Sequence, residues 1–126
     1  MPTYAHKTDT TQAAILETFV RSGCAVINTS AYAKFVDGVL ADSYGTFLIE
    51  AKSKYGKLTP GQAKLYAEWP GDMYVLESAE QANLVMMARR QFYSGLRPSS
   101  PAHKINFMES HERKTNGSVA RADQSD

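Results

Sequence analysis

One cysteine stands in the 126 residues. No internal disulfide is therefore available, and the chain fits a reducing interior. An excess of charge of either sign is also missing: 14 Lys and Arg against 13 Asp and Glu give a net charge of +1. No global field draws this chain to phosphates, so any such binding must come from a local patch. No apolar run approaches the roughly 20 residues of a membrane-spanning helix, and the opening MPTYAHKTDTT is polar, without the apolar stretch of a signal peptide. The expectation is a soluble, cytoplasmic protein with no membrane partner. Internal repeats, zinc-ligand spacings, a Gly-rich phosphate loop and a Ser-His-Asp order are all lacking; His6, His103 and His111 sit in the polar ends and read as bystanders. Cys24 opens the apolar stretch CAVIN and reads as a small buried hydrophobe with no catalytic role.

What remains is one compact domain's worth of chain, 43% hydrophobic. TDTTQAAILETFVRSG reads as a first helix, with Ala13, Leu16, Phe19 and Val20 at helical spacing, Asp9 or a following Thr as cap, and Gly23 as terminator. CAVIN is a short strand. FVDGVLA and TFLIEAK form two further β-rich runs joined by DSYG, whose Asp and Gly suit a hairpin turn. TPGQAKLYAEW is a second helix: Thr59 caps it, Pro60 takes the first helical position and Gln62 the capping-box position. After the Pro70-Gly71-Asp72 break come the strand MYVLE and a third helix, SAEQANLVMMARRQFYSG, with Ser78 and Gln81 as its capping box. The order helix-strand-strand-strand-helix-strand-helix predicts an α/β (α+β) layer protein, a mixed central sheet flanked by helices. Residues 1–95 form this domain. Residues 96–126 are polar and read as a largely disordered tail, with INFM as the stretch able to dock.

Side chains alternate faces along a strand, so Leu48, Glu50 and Lys52 share one face of TFLIEAK while Phe47, Ile49 and Ala51 share the other. An acid and an ammonium thus emerge together at the end of an apolar run. Across the hairpin Asp37 can approach Glu50, in a register left open at this point. Two adjacent carboxylates repel each other, which a fold tolerates when a divalent cation lies between them. A hard cation such as Mg2+ prefers oxygen ligands and keeps sites for a phosphate and a water, and a lysine beside it can orient or deprotonate that water and neutralise charge developing on phosphorus. Asp, then Glu-x-Lys, supplies the groups that phosphodiester hydrolysis needs. Taken singly, each signal has a plainer explanation. Glu-x-Lys at a strand end is commonly a solvated ion pair, Asp37-Gly38 is turn chemistry, and Gln62 completes the capping box of Thr59.

Together, FVDGVLA, TFLIEAK, GKLTPGQ, the Trp-Pro-Gly break and MYVLES followed by AEQA resemble the PD-(D/E)XK nuclease superfamily. More closely, they resemble the small stand-alone VRR-NUC-type nucleases of phages and prophages, over about Asp9 to Val85. The resemblance implies a restriction-endonuclease-like core and a Mg2+-dependent endodeoxyribonuclease, with Mn2+ able to substitute. It makes Asp37 and Glu50 metal ligands, the Ala51 carbonyl a third ligand, Lys52 the catalytic lysine and Gln62 a helix residue facing the active site. Asp9 or Gln12 falls where such nucleases carry a polar residue able to reach the metal shell. The pattern departs at Val36, where the family has proline, at Ala51, where it has valine, and in AYAKF, which replaces a Gly-rich approach; no catalytic atom is lost.

Lys34, Lys52, Lys54, Lys57 and Lys64, interleaved with Tyr32 and Tyr55, form a local basic patch of the kind that binds a DNA backbone, although lysines also decorate ordinary loops. The resemblance further implies branched or otherwise structured DNA as substrate and a homodimer, since two strands must be cut. Two readings compete: a non-catalytic nucleic-acid- or partner-binding module that kept the fold, and a subunit whose C-terminal tail recruits a protein partner.

Overall fold

A computed structural model describes residues 10–32, 35–53, 56–95 and 103–108. Its elements are α1 (Thr10–Arg21), β1 (Ala25–Asn28), β2 (Gly38–Asp42), β3 (Gly45–Ala51), α2 (Pro60–Glu68), β4 (Asp72–Leu76), α3 (Ala79–Tyr93) and β5 (Lys104–Asn106). The architecture is α+β: among the described residues, one five-stranded mixed sheet in the order β1-β2-β3-β4-β5 and three helices. The first three strands run antiparallel, while β3, β4 and β5 run parallel. None of the described helices is long and apolar enough to cross a membrane.

The β2–β3 hairpin fixes the geometry that follows. Asp42 pairs with Gly45, leaving Ser43 and Tyr44 as a two-residue turn. Asp42 Oδ1 accepts from the Tyr44 N–H at 2.9 Å, and Gly45 takes φ 138°, a conformation that costs a Cβ-bearing residue dearly. The register then runs through Leu40↔Phe47 to Gly38↔Ile49. Continued by one residue, it sets Asp37 opposite Glu50.

Alternation along the strands divides the core. On one face Leu40, Phe47, Ile49, Tyr74 and Leu76 pack against Ile15, Leu16 and Phe19 of α1 and Ala82 and Val85 of α3. Phe19, Phe47 and Tyr74 meet edge to face there at centroid distances of 5.6 and 5.4 Å. On the other face Leu48 and Met73 join Val36 beneath Leu65, Tyr66 and Trp69 at the side of α2. The nine-residue α2 buries no residue fully. At less than the roughly 12–15 residues that make an isolated helix even marginal, it depends on its cap and on these half-buried contacts.

Two expectations change. The stripe of α1 that packs inward is Gln12, Ile15, Leu16 and Phe19, whereas Ala13 is exposed and Val20 is 51% exposed. The apolar spacing admitted both stripes, and the sheet selects the one carrying Ile15. Second, the domain does not end at residue 95. The INFM stretch docks as a fifth strand beside β4: the Met73 N–H donates to the His103 carbonyl at 2.8 Å and the Phe107 N–H to the Val75 carbonyl at 3.0 Å. Met108 is buried, and Ile105 and Phe107 pack against the main core. A three-residue parallel strand is too short to show a period of two. The rest of the stretch read as a tail lies outside the described residues.

Candidate active site

Glu50 ends the buried run of β3, and its position follows from alternation: Leu48 and Glu50 point to the α2 side, Phe47 and Ile49 to the other. Only 3% of Glu50 is exposed. Asp37 immediately precedes β2 and is held in the ladder by its backbone, since its N–H donates to the Ile49 carbonyl at 3.1 Å and its carbonyl accepts from the Thr29 N–H at 2.9 Å. Its Oδ2 accepts from the Ala51 N–H at 2.8 Å. The chain segment Glu50-Ala51-Lys52 therefore contributes a carboxyl group, a backbone donor that orients the opposing carboxylate, and an ammonium.

Gln62 comes from α2 and has two tasks. Its Oε1 accepts from the Thr59 N–H at 2.9 Å while its own N–H donates to Thr59 Oγ1 at 3.1 Å, completing the capping box. Its Nε2 donates to Glu50 Oε2 at 2.7 Å. The capping explanation and the site explanation, opposed in the sequence, hold at once. Lys52 Nζ lies 3.5 Å from the same Oε2, an ion pair too long for a good hydrogen bond, with the lysine side chain 17% exposed.

The other oxygen, Glu50 Oε1, is buried with no hydrogen-bond partner among the described residues. Burial is the main force on this group, and the charge of Asp37 adds to it. Lys52 offsets the two only in part, so the Glu50 carboxyl is pushed up to about 8. Near neutral pH, without a cation, the site holds a proton on Glu50. Two hard oxygen donors, one of them buried and unsatisfied, fit a divalent cation such as Mg2+, which would displace that proton. Among the described residues no group of three or more His, Cys, Asp or Glu comes together. The donor set here is thus two carboxylates, to be completed by backbone oxygen or water.

The structure brings together Asp37, Glu50, Ala51, Lys52 and Gln62. Lys57 is exposed on the approach to α2, and Lys64 is exposed on α2 itself. Two residues along a helix turn about 200°, so Lys64 points away from the side on which Gln62 meets Glu50. Lys34, Lys54 and Tyr55 lie outside the described residues, as does Asp9. Gln12 is 4% exposed on α1, with Nε2 reaching Asn28 Oδ1 at 3.5 Å.

A second ionic cluster, at the opposite end of the sheet, was not read from the sequence. Arg89 of α3 is fully buried. It donates bidentately to Asp42 at 2.7 and 2.7 Å, to Asp72 Oδ2 at 2.6 Å, to Tyr74 Oη at 2.9 Å and to the Gly45 carbonyl at 3.3 Å. Its guanidinium also lies 4.2 Å from the centroid of the Phe47 ring. The available signal was spacing: Ala82, Val85 and Arg89 form one i, i+3, i+7 stripe, all buried.

Comparison with known proteins adds no relative: no family model matches the chain, and no curated protein or solved structure matches it significantly.

Proposed function

We propose that this chain is a divalent-metal-dependent DNA endonuclease of the PD-(D/E)XK type, with a restriction-endonuclease-like core, that hydrolyses phosphodiester bonds in branched or structured DNA. One observation carries the reading: Glu50 Oε1 is buried, without a partner among the described residues, beside a second carboxylate, Asp37. A fold gains nothing in stability from that oxygen, because a buried polar atom left without a hydrogen bond costs free energy. Asp37, Glu50 and the Ala51 carbonyl would hold Mg2+ or Mn2+. When bound, such an ion supplies Lewis acidity toward a phosphoryl oxygen and makes water a better nucleophile at neutral pH.

The protein's own groups do the rest. The Ala51 N–H keeps Asp37 turned toward Glu50, and Gln62 fixes Glu50 Oε2. The Lys52 ammonium, loosely paired and partly exposed, can turn to a phosphate and balance the charge that grows on its oxygens as the P–O bond breaks. The choice of branched DNA and a homodimer able to cut two strands rest on the resemblance in sequence alone.

The test is cleavage of linear, nicked, single-stranded and four-way-junction DNA with Mg2+, with Mn2+ and with chelator. Asp37→Ala and Glu50→Ala each abolish cleavage and weaken Mn2+ binding while the fold persists. Lys52→Met lowers the rate roughly a hundredfold or more, the loss expected for an oriented charge acting on the transition state, and changes DNA affinity little, since one phosphate contact among several carries a small share of binding. Cleavage retained by both alanine variants overturns the proposal. A wild-type protein that binds DNA and cuts none of the four substrates favours the binding-module reading.

A further inference from the structure

Beside the carboxylates lies a cavity of about 550 Å³, lined among the described residues by Phe35, Thr59, Gly61, Gln62 and Leu65. Its size falls within the roughly 300–1,000 Å³ of small-ligand clefts. It adjoins the carboxylate site through one side chain: Gln62 lines it and also donates to Glu50 Oε2 at 2.7 Å. Its walls are mainly apolar, with an aromatic ring from Phe35 and an aliphatic side chain from Leu65. Phe35 is 41% exposed, yet its neighbour Val36 is only 1% exposed and is tied down through a 2.6 Å bond from Thr29 Oγ1 to its carbonyl. The ring is thus left open to solvent on an anchored stretch of backbone. Gly61, also on the wall, leaves room: a Cβ added there would meet nothing nearer than Thr59 Oγ1 at 4.0 Å.

We infer that this cavity takes one unpaired nucleobase of the substrate strand, stacked on Phe35, and so holds the adjoining backbone toward Asp37 and Glu50. The identity of the occupant as a base rests on the endonuclease reading. The chemistry is that of a flat ring with an apolar face and polar edges. Phe35 offers a face to stack on, and the Thr59 hydroxyl and Gln62 amide offer polar groups at the rim. A paired base inside a duplex cannot present its face, so the pocket favours strands with unpaired residues.

The test uses the full chain in chelator, where nothing is cut, and fluorescence anisotropy with two labelled strands of equal charge. One is an oligothymidylate of about 12 residues, within the length that single-strand sites cover, and the other is an abasic strand of the same length. The wild type binds the first roughly tenfold more tightly, the size of effect expected of one stacked base. Phe35→Ala and the pocket-filling Gly61→Leu each remove that preference while melting as the wild type does, and Phe35→Trp keeps it. Equal affinity of the wild type for both strands overturns the inference, as does a preference that survives in both Phe35→Ala and Gly61→Leu. Displacement by free thymidine monophosphate at the same nucleotide concentration also overturns it, by marking a mononucleotide site. A base preference without cleavage in Mg2+ would defeat the endonuclease reading and leave the pocket standing. Cleavage without base preference would do the reverse.

Discussion

The two ends of the central sheet carry the same formal charge, two carboxylates against one cation, and treat it in opposite ways. At the Asp42 end the cation is central: the five N–H donors of Arg89 find five acceptors, three of them on Asp42 and Asp72. Tyr93 Oη adds a further donor to Asp72 Oδ2 at 2.6 Å. At the Glu50 end the cation is peripheral: Lys52 stands 3.5 Å from one carboxyl oxygen, and the other oxygen has no partner among the described residues. The titration of the acids follows. Burial alone would raise the Asp42 carboxyl, but the hydrogen bonds and charge of Arg89 overcome it and hold the group below its usual range. Burial and the charge of Asp37 raise Glu50, and Lys52 brings it back only in part. Charge count therefore does not distinguish a satisfied cluster from an unsatisfied one. The difference lies in whether every buried polar atom is satisfied.

Breaking the satisfied end has the largest expected effect. Arg89→Met keeps much of the volume and leaves two carboxylates buried without their cation, which costs about 3–5 kcal/mol. Urea unfolding measures it, and a loss below about 1 kcal/mol would reduce this cluster to an ordinary surface pair. Acid also acts on this end. Because the Asp42 pKa is lowered in the folded state, its contribution is present above the ordinary carboxylate value and is lost as pH falls through the folded one.

Neutralising the unsatisfied end has the opposite sign. With Glu50 raised from 4.5 to about 8, the folded protein binds a proton that the unfolded chain has released, so stability falls as pH rises between those values. Glu50→Gln removes that dependence. At pH 8 without divalent cation it is expected to stabilise the fold by about 2 kcal/mol, a conservative figure when each tenfold change in proton affinity is worth about 1.4 kcal/mol, and at pH 4 by nothing. Melting temperatures across this range decide the matter. A variant less stable than the wild type at pH 8 would show that the charged carboxylate is well accommodated and would remove the main argument for a cation. Added Mg2+ should raise the melting temperature of the wild type and not of the variant.

Much of the sheet was legible because its strands are short apolar runs bounded by turn residues; the facing of Leu48, Glu50 and Lys52 follows from parity alone. The register of Asp37 against Glu50 was also available in principle. Once DSYG is taken as a two-residue turn, pairing Asp42 with Gly45, counting back sets Asp37 opposite Glu50. The Arg89 cluster resisted reading because its members lie 47 and 17 residues from Arg89 in the chain. An arginine on an apolar helical stripe reads locally as an error of pattern, since the acids that justify its burial come from other strands. β5 resisted for a different reason: three residues beside a parallel neighbour take their stability from the sheet edge, with no pattern of their own. Phe35 opens the run FVDGVLA and carried no role of its own in the sequence; the cavity it lines with Gly61, Gln62 and Leu65 is formed only when α2 folds against the sheet.

Gln62 links the cap of a short helix to the Glu50 carboxyl group, and removing it has the smallest expected effect. Gln62→Ala takes away the acceptor for the Thr59 N–H and the donor to Glu50 Oε2 together. Losing half of a capping box costs about 0.5–1 kcal/mol, felt in full here because α2 buries no residue completely. Glu50 then keeps its burial and loses its fixed donor, so the carboxyl group turns more freely and cleavage falls by roughly tenfold, about what one neutral hydrogen bond is worth. Gln62→Glu separates the two losses. A glutamate can still accept from the Thr59 N–H, so the helix start survives. In place of a donor it sets a third carboxylate against Glu50, so cleavage should fall further than with alanine. Melting temperature and kcat/KM measured on both variants at one pH give the answer. If glutamate restores both stability and cleavage, Gln62 serves only as a cap. If it restores stability alone, the capping box is also the clamp that holds Glu50 in place, doing with one donor at this end what Arg89 does with five at the other.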